Sequence, residues 1–167
     1  MANRILISVQ DGIEKPEWLD GVEPFVQTVM EKLSYDKEEI SVLFCSNEFI
    51  QELNKNYRQI DSATDVLSFE NGEEYEDEEG VWFCAGDIAV SLDMLPENAE
   101  YFETDANTEL KRLLIHGILH LNGMDHEPEH IEKGVEPECE MLVLLLGYGQ
   151  KLLHGSGQDA CGSRAVG

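Results

Sequence analysis

The sequence predicts a single α+β domain, a small mixed β-sheet packed with helices, and three observations lead there. The chain has 167 residues, about one domain's worth and enough to bury a core. Its apolar residues recur at period two in some stretches and at helical spacing in others. The order of these elements along the chain points to one domain in which helices pack on a small mixed sheet. A hydrophobic fraction of 42% and an aromatic share of 8% are those of an ordinary globular protein. Residues 1–154 form the domain, and residues 155–167, rich in Gly and Ser, are expected to be a tail without fixed structure.

Ile5, Ile7 and Val9 alternate with outward positions and predict a first strand. From Trp18 to Leu33, the residues Val22, Phe25, Val26, Val29 and Leu33 keep helical spacing and present one apolar face. Ile40, Val42 and Phe44 return to period two. Ser46 or Asn47 can cap the next helix, whose buried stripe is Ile50, Leu53 and Tyr57. Asp65 to Phe69 and Gly86 to Ser91 read as two more strands, with Val81 to Phe83 extending the second, and residues 70–79 as a loop between them. Pro96 suits the first turn of a short helix. A long helix starts in the capping cluster Thr104 to Asn107 and runs to about Asn122, where Gly123 can end it in the left-handed conformation. A last helix spans Pro137 to Leu146.

The charge is unusual. Thirty-five acids against eleven bases give −24, a field that repels polyanions at long range. Seven of the acids, Glu70, Glu73, Glu74, Glu76, Asp77, Glu78 and Glu79, lie in residues 70–79, which read as a solvated acidic loop or as a guard or docking element. The longest apolar run, Met141 to Leu146, is far short of the roughly 20 residues that a membrane helix needs. Polar residues interrupt Ile5 to Ile7 too soon for a secretory signal. Cys45, Cys84, Cys139 and Cys161 show no Cys-x-x-Cys spacing, which fits a reducing compartment and a cytoplasmic location.

Three histidines, His116, His120 and His126, fall within eleven residues. His116 and His120 are four apart on the predicted helix, so their rings leave the same face and can share an ion. A turn at Gly123 would let His126 swing back as a third ligand. Three imidazoles with an open fourth position describe a catalytic zinc site rather than a closed structural one. His130 and His154 lack such a context and read as bystanders. The metzincin peptidases share this spacing but place their Glu base directly after the first His. Here that position is Gly117, which favours a metal-activated water and disfavours peptide hydrolysis.

His116 to His126 closely resembles the signature of the YbeY endoribonucleases, His-Gly-x-Leu-His-Leu-x-Gly-Tyr-Asp-His, with Met124 in the Tyr position. The block from Asn54 through Tyr57, Arg58, Asp61 and Thr64 to Phe69 is similar to that family's second motif, and Gly86-Asp87-Ile88 to the strand after it. Ala63 and Glu70 stand where that family commonly has proline. The resemblance implies a single-strand-specific, metal-dependent endoribonuclease acting in 3'-end maturation of small-subunit (16S) ribosomal RNA and in ribosome quality control. Its partners would be single-stranded ribosomal RNA and the small ribosomal subunit with its proteins, and no membrane. It implies that His116, His120 and His126 bind the metal and that His116 belongs to the catalytic centre. It also makes Arg58 a catalytic and substrate-binding residue. A guanidinium can grip two phosphate oxygens at once and neutralise charge that develops at phosphorus; the plainer role is a surface Arg paired with Asp61 or Asp65. Asp65, Asp87 and Asp125 are candidates for orienting the histidines, and Lys55, Arg58, Lys111 and Arg112 for a local basic patch. Two rival readings stand beside this one. A hydrolase of another class could use the same ligand frame, or an assembly factor could bind basic ribosomal proteins through its acidic surface and use its metal mainly for folding.

Overall fold

The computed structural model describes residues 2–101 and 103–122, and the backbone of Cys161 and Gly162. The predicted last helix, Gly123 and His126 lie outside the described residues.

Strand β1 (Arg4–Val9) leads through a 3₁₀ turn (Leu19–Gly21) into helix α1 (Val22–Lys32). The helix begins later than the apolar spacing predicts, because Trp18 is used on the edge of Phe44, 5.3 Å between ring centroids, rather than in a helical turn. Strand β2 (Glu38–Cys45) and helix α2 (Asn47–Arg58) follow, with the Ser46 side chain accepting from Phe49 N at 3.2 Å as the N-cap. Strands β3 (Val66–Asp77) and β4 (Gly80–Ser91) form a hairpin. Helix α3 (Met94–Tyr101), the short strand β5 (Thr104–Asp105) and helix α4 (Ala106–Leu121) come next. Within the predicted tail, Cys161–Gly162 is strand β6, antiparallel to β5.

The main sheet has the order β1-β2-β4-β3, with β1, β2 and β4 parallel and β3 antiparallel to β4. This is the mixed sheet that the sequence predicts. Ile40, Val42, Phe44, Val66, Ala85, Ile88 and Val90 face α1, α3 and α4, in the main core with Phe25, Val29, Leu110, Leu114 and Ile118. The opposite face, with Cys45, Leu67 and Ala89, packs under Ile50 and Leu53 of α2. β4 is therefore covered on both sides, which explains its continuous apolar run Ile88-Ala89-Val90.

Residues 70–79 are not a loop. They are the outer half of the β3–β4 hairpin, paired from Glu73↔Cys84 to Asp77↔Gly80, with Glu78 and Glu79 alone as the connection. The turn-forming pair Asn71-Gly72 sits at a bulge, where the register shifts between Glu70 and Glu73. Charge does not melt the hairpin because Trp82, only 2% exposed, is covered by cations. Arg4 Cζ lies 3.8 Å and Lys37 Nζ 4.9 Å from its ring centroid. Arg4 also bonds Asp77 at 2.6 Å and the Tyr75 hydroxyl at 2.9 Å, and Lys37 donates to the Glu79 carbonyl at 2.7 Å. The bond from Arg4 holds the Asp77 carboxyl below its ordinary pKa.

Gly86 has φ +142°, and a Cβ built on it would stand 2.1 Å from the Phe69 carbonyl oxygen. Gly86→Ala should therefore destabilise by on the order of 3 kcal/mol or more, combining a left-handed strain with a backbone clash. Urea unfolding checks this; a loss below about 0.5 kcal/mol, the range of ordinary surface changes, would refute the close approach.

Glu38 is 7% exposed, and its Oε2 has no hydrogen-bonding partner among the described residues. Burial pushes its carboxyl up to about 7 from 4.5. A raised carboxyl pKa means that the protonated form folds without penalty below the unfolded value, and that the cost of burying the charge is fully felt above the folded value. Glu38→Gln should leave stability nearly unchanged at about pH 3.5, below the unfolded value, and raise it above pH 7, by up to about 3 kcal/mol. Denaturant midpoints of both proteins across that window test it; a constant difference would show that Glu38 does not titrate there.

Candidate metal and catalytic centre

Helix α4 starts at a good cap, Asp105, whose carboxylate accepts from Thr108 N at 2.6 Å. Its residues are then buried except for Asn107, Thr108, Arg112, His116 and His120. Four of these, Thr108, Arg112, His116 and His120, repeat every four residues and form one polar stripe along a helix otherwise enclosed by apolar neighbours. His116 and His120 are half-buried on that stripe. Their rings are 19° from parallel with centroids 6.3 Å apart, so the two imidazoles face one another as the spacing predicts. His126 is outside the described residues, and among the described residues no three His, Cys, Asp or Glu side chains come together as a complete ligand set. The pair supplies nitrogen donors of the type zinc takes.

Two close contacts seat the helix on β4. A Cβ on Gly117 would meet Ile88 Cδ1 at 2.9 Å and Cγ2 at 3.0 Å, and a Cβ on Gly86 would meet Leu121 Cδ2 at 2.9 Å. Asn122 closes the last turn, its side chain donating to the Ile118 carbonyl at 2.9 Å.

Arg58 is the last residue of α2 and is exposed. The turn after it is pinned: Gln59 takes the left-handed conformation at φ 59°, Ile60 N donates to the Asn54 carbonyl at 3.2 Å, and buried Asn54 Nδ2 donates to the Ser62 carbonyl at 3.0 Å. The plain pairing with Asp61 or Asp65 is absent, since no described carboxylate lies within 4.0 Å of the guanidinium. Asp61 instead accepts from Gln51 Nε2 at 3.0 Å. Asp65, 3% exposed, accepts from Val66 N at 2.8 Å and from Asn98 Nδ2 at 3.3 Å.

Two sequence expectations need correction. Lys111 is fully buried, 5.8 Å from the Phe25 ring centroid, because its position on α4 faces α1; it belongs to no surface basic patch. Lys55 and Arg58 remain exposed, and Arg112 is half-buried, 3.7 Å from Glu109. Asp87 cannot orient the histidines, because side chains alternate along β4 and it is its neighbour Ile88 that faces Gly117. Asp87 points to the other face, where it is hydrogen-bonded by Ser41. There it joins a groove of about 340 Å³ with Leu43, Phe49, Leu53, Tyr57 and Phe69, a feature with no signal in the sequence pattern. Asp125 lies outside the described residues.

The sequence profile of the family described as Endoribonuclease YbeY matches residues 6–144. An Endoribonuclease YbeY of Treponema denticola is 54% identical over 145 residues, covering 85% of this chain and 88% of its own length. One from Aquifex aeolicus is 35% identical over 142 residues, covering 85% and 90%. A solution structure of a Thermotoga maritima protein superposes with a TM-score of 0.56 at 29% identity, covering 84% of this chain and 85% of the other. The mixed sheet, the paired histidines on a buried helix and the match along most of the chain lead to one assignment: this chain belongs to the YbeY endoribonuclease family, a family of nuclease hydrolases.

Proposed function

We propose that the chain is a metal-dependent endoribonuclease specific for single strands, acting in 3'-end maturation of 16S ribosomal RNA and in ribosome quality control. In this reading it works in the cytoplasm with the small ribosomal subunit and its proteins as partners. His116, His120 and His126 hold one divalent ion, zinc in the first instance. The observation that carries the reading is the facing, half-buried histidine pair on the polar stripe of α4, in a chain of an endoribonuclease family.

A bound ion would polarise a phosphate oxygen and acidify a water at the site. His116 and His120 fix the place where that chemistry occurs, because α4 is locked by its buried residues. Arg58 offers a guanidinium that spends none of its charge on a described carboxylate and sits on a pinned turn. It grips the phosphodiester and neutralises charge that develops at phosphorus. The peptidase alternative loses support from the packing. A side chain at position 117 would be directed into Ile88, so the Glu base of the peptidase motif would have to displace that core residue.

Removing His120 takes away one ligand of three, so His120→Ala purified from zinc-supplemented cells should retain little metal by elemental analysis. Arg58→Ala should keep its full metal content and lose about a hundredfold in cleavage of a single-stranded RNA. An Arg58 variant that loses its metal or keeps full turnover would overturn this division of roles.

The acidic hairpin modulates access for RNA. Its root lies beside the end of α4, since Glu70 pairs with Gly86, and Gly86 is against Leu121. Its tip is about 20 Å further along the strands. At ~0.01 M salt, where screening extends over ~30 Å, neutralising either Glu70 and Glu73 or Glu76, Glu78 and Glu79 should tighten RNA binding. At ~0.15 M, where it falls to ~8 Å, only the root pair should keep its effect. Equal affinities in both buffers would show that the hairpin does not act on the site, and a selective loss of ribosomal-protein binding would support the docking role instead.

A further inference from the structure

The two glycine contacts that seat α4 on β4 bear on the histidines directly, and this inference rests on the metal reading above. Gly117 and Leu121 are four apart on α4, and Gly86 and Ile88 are two apart on β4. Each pair therefore presents one face of its own element to the other. Gly117 meets Ile88 and Leu121 meets Gly86, which makes a two-point seat near the C-terminal end of the helix. His116 and His120 are the residues immediately before Gly117 and Leu121. On a helix, neighbours in sequence differ by about 100° in direction, so the seat fixes both the height of the helix and the angle at which the two rings leave it.

We propose that Gly117 and Gly86 are positioning residues for the metal centre, with Gly117 setting how far His116 and His120 stand off the sheet. At Gly117 a built Cβ falls 2.9 Å from Ile88 Cδ1, closer than real Cβ atoms come, and 3.0 and 3.1 Å from Cγ2 and Cγ1, tighter than most real contacts. A methyl group there must displace either the Ile88 side chain or the helix. Because Ile88 is 1% exposed in a filled core, much of the displacement falls on the helix. A helix lifted by a few tenths of an ångström carries His116 and His120 with it, away from groups anchored elsewhere. Mutations of the groups that orient metal ligands from behind typically cost 10–100-fold in metal affinity, and a shifted helix disturbs the same orientation.

The test uses the full chain with Co(II) as the probe, followed by visible absorption, together with thermal unfolding of each metal-free variant. Gly86→Ala is unsuitable as the main variant, because its clash is with backbone and threatens folding itself. Gly117→Ala should fold and bind Co(II) at least tenfold more weakly, with altered absorption bands. Adding Ile88→Ala removes all three opposing carbons. The double variant should recover affinity and spectrum toward wild type while melting below Gly117→Ala, because it loses core volume. A purely structural role would move affinity and melting together, whereas the positioning role moves them in opposite directions. A Gly117→Ala protein with wild-type affinity and bands, or a double variant that binds no better than Gly117→Ala, overturns the positioning role alone. Wild-type protein that fails to bind Co(II) overturns the metal reading and this inference with it.

Discussion

Everything in this domain is arranged around the contact between α4 and β4. The helix buries eleven of its sixteen residues, among them Leu110, Leu113, Leu114, Ile115, Ile118 and Leu119. A helix that is apolar nearly all round belongs in a core, and it can carry a polar function only along whatever stripe is left over. Here that stripe holds the histidine pair. The same enclosure explains the ionic groups on α4. Glu109 and Lys111 are both fully buried, and Arg112 approaches the former while the Phe25 ring lies near the latter. Buried charges are tolerated only with such company, and removing one partner costs more than the pair contributes.

β4 is the strand that makes the seat possible. It pairs with β2 in parallel and with β3 in antiparallel fashion, so its hydrogen bonds are taken on both edges and its direction is fixed. Its bulge, where Ile40 and Glu39 are matched to Gly86 and Cys84, skips Ala85 and turns the strand locally. The left-handed glycine at that point lets Phe69 of β3 and Leu121 of α4 converge on one spot. A residue with a side chain could satisfy neither contact. The bulge, the hairpin root and the end of the histidine helix are one packing problem solved once.

Much of this is legible in the sequence, and what is not has physical causes. The period-two and helical patterns find the strands and helices, and the His-x-x-x-His spacing finds a pair that does face itself. The acidic hairpin escapes such a reading because glutamates have low strand propensity and Asn71-Gly72 mimics a hairpin turn. What overrides both is non-local: Arg4, from the first strand, and Lys37 stack on Trp82 and bond the hairpin tip. No local window contains that information. Lys111 is misplaced by its neighbourhood, since adjacency to Arg112 says nothing of the 100° between them on the helix. Asp87 is misplaced because, one step along a pleated strand, a residue belongs to the other face. Gly117 reads only as a missing base, since its true constraint is an isoleucine 29 positions earlier in the chain.

The hairpin also clarifies how so acidic a protein can belong to a nuclease family. Net charge is a property of the whole surface, but at physiological salt a charge acts over only ~8 Å. Arg4 and Lys37 are committed to the hairpin tip, and Arg4 is held more firmly protonated by Tyr75 and Asp77. They consume part of the negative charge there without adding to any basic surface elsewhere. Exposed Lys55 and Arg58 lie instead in the last turn of α2, on the opposite side of the sheet from the main core. These four cations thus serve differently, Arg4 and Lys37 making a highly charged hairpin rigid and Lys55 and Arg58 left to solvent. A total of −24 describes neither pair, and RNA at this surface would feel mainly the charges within a screening length of its phosphates.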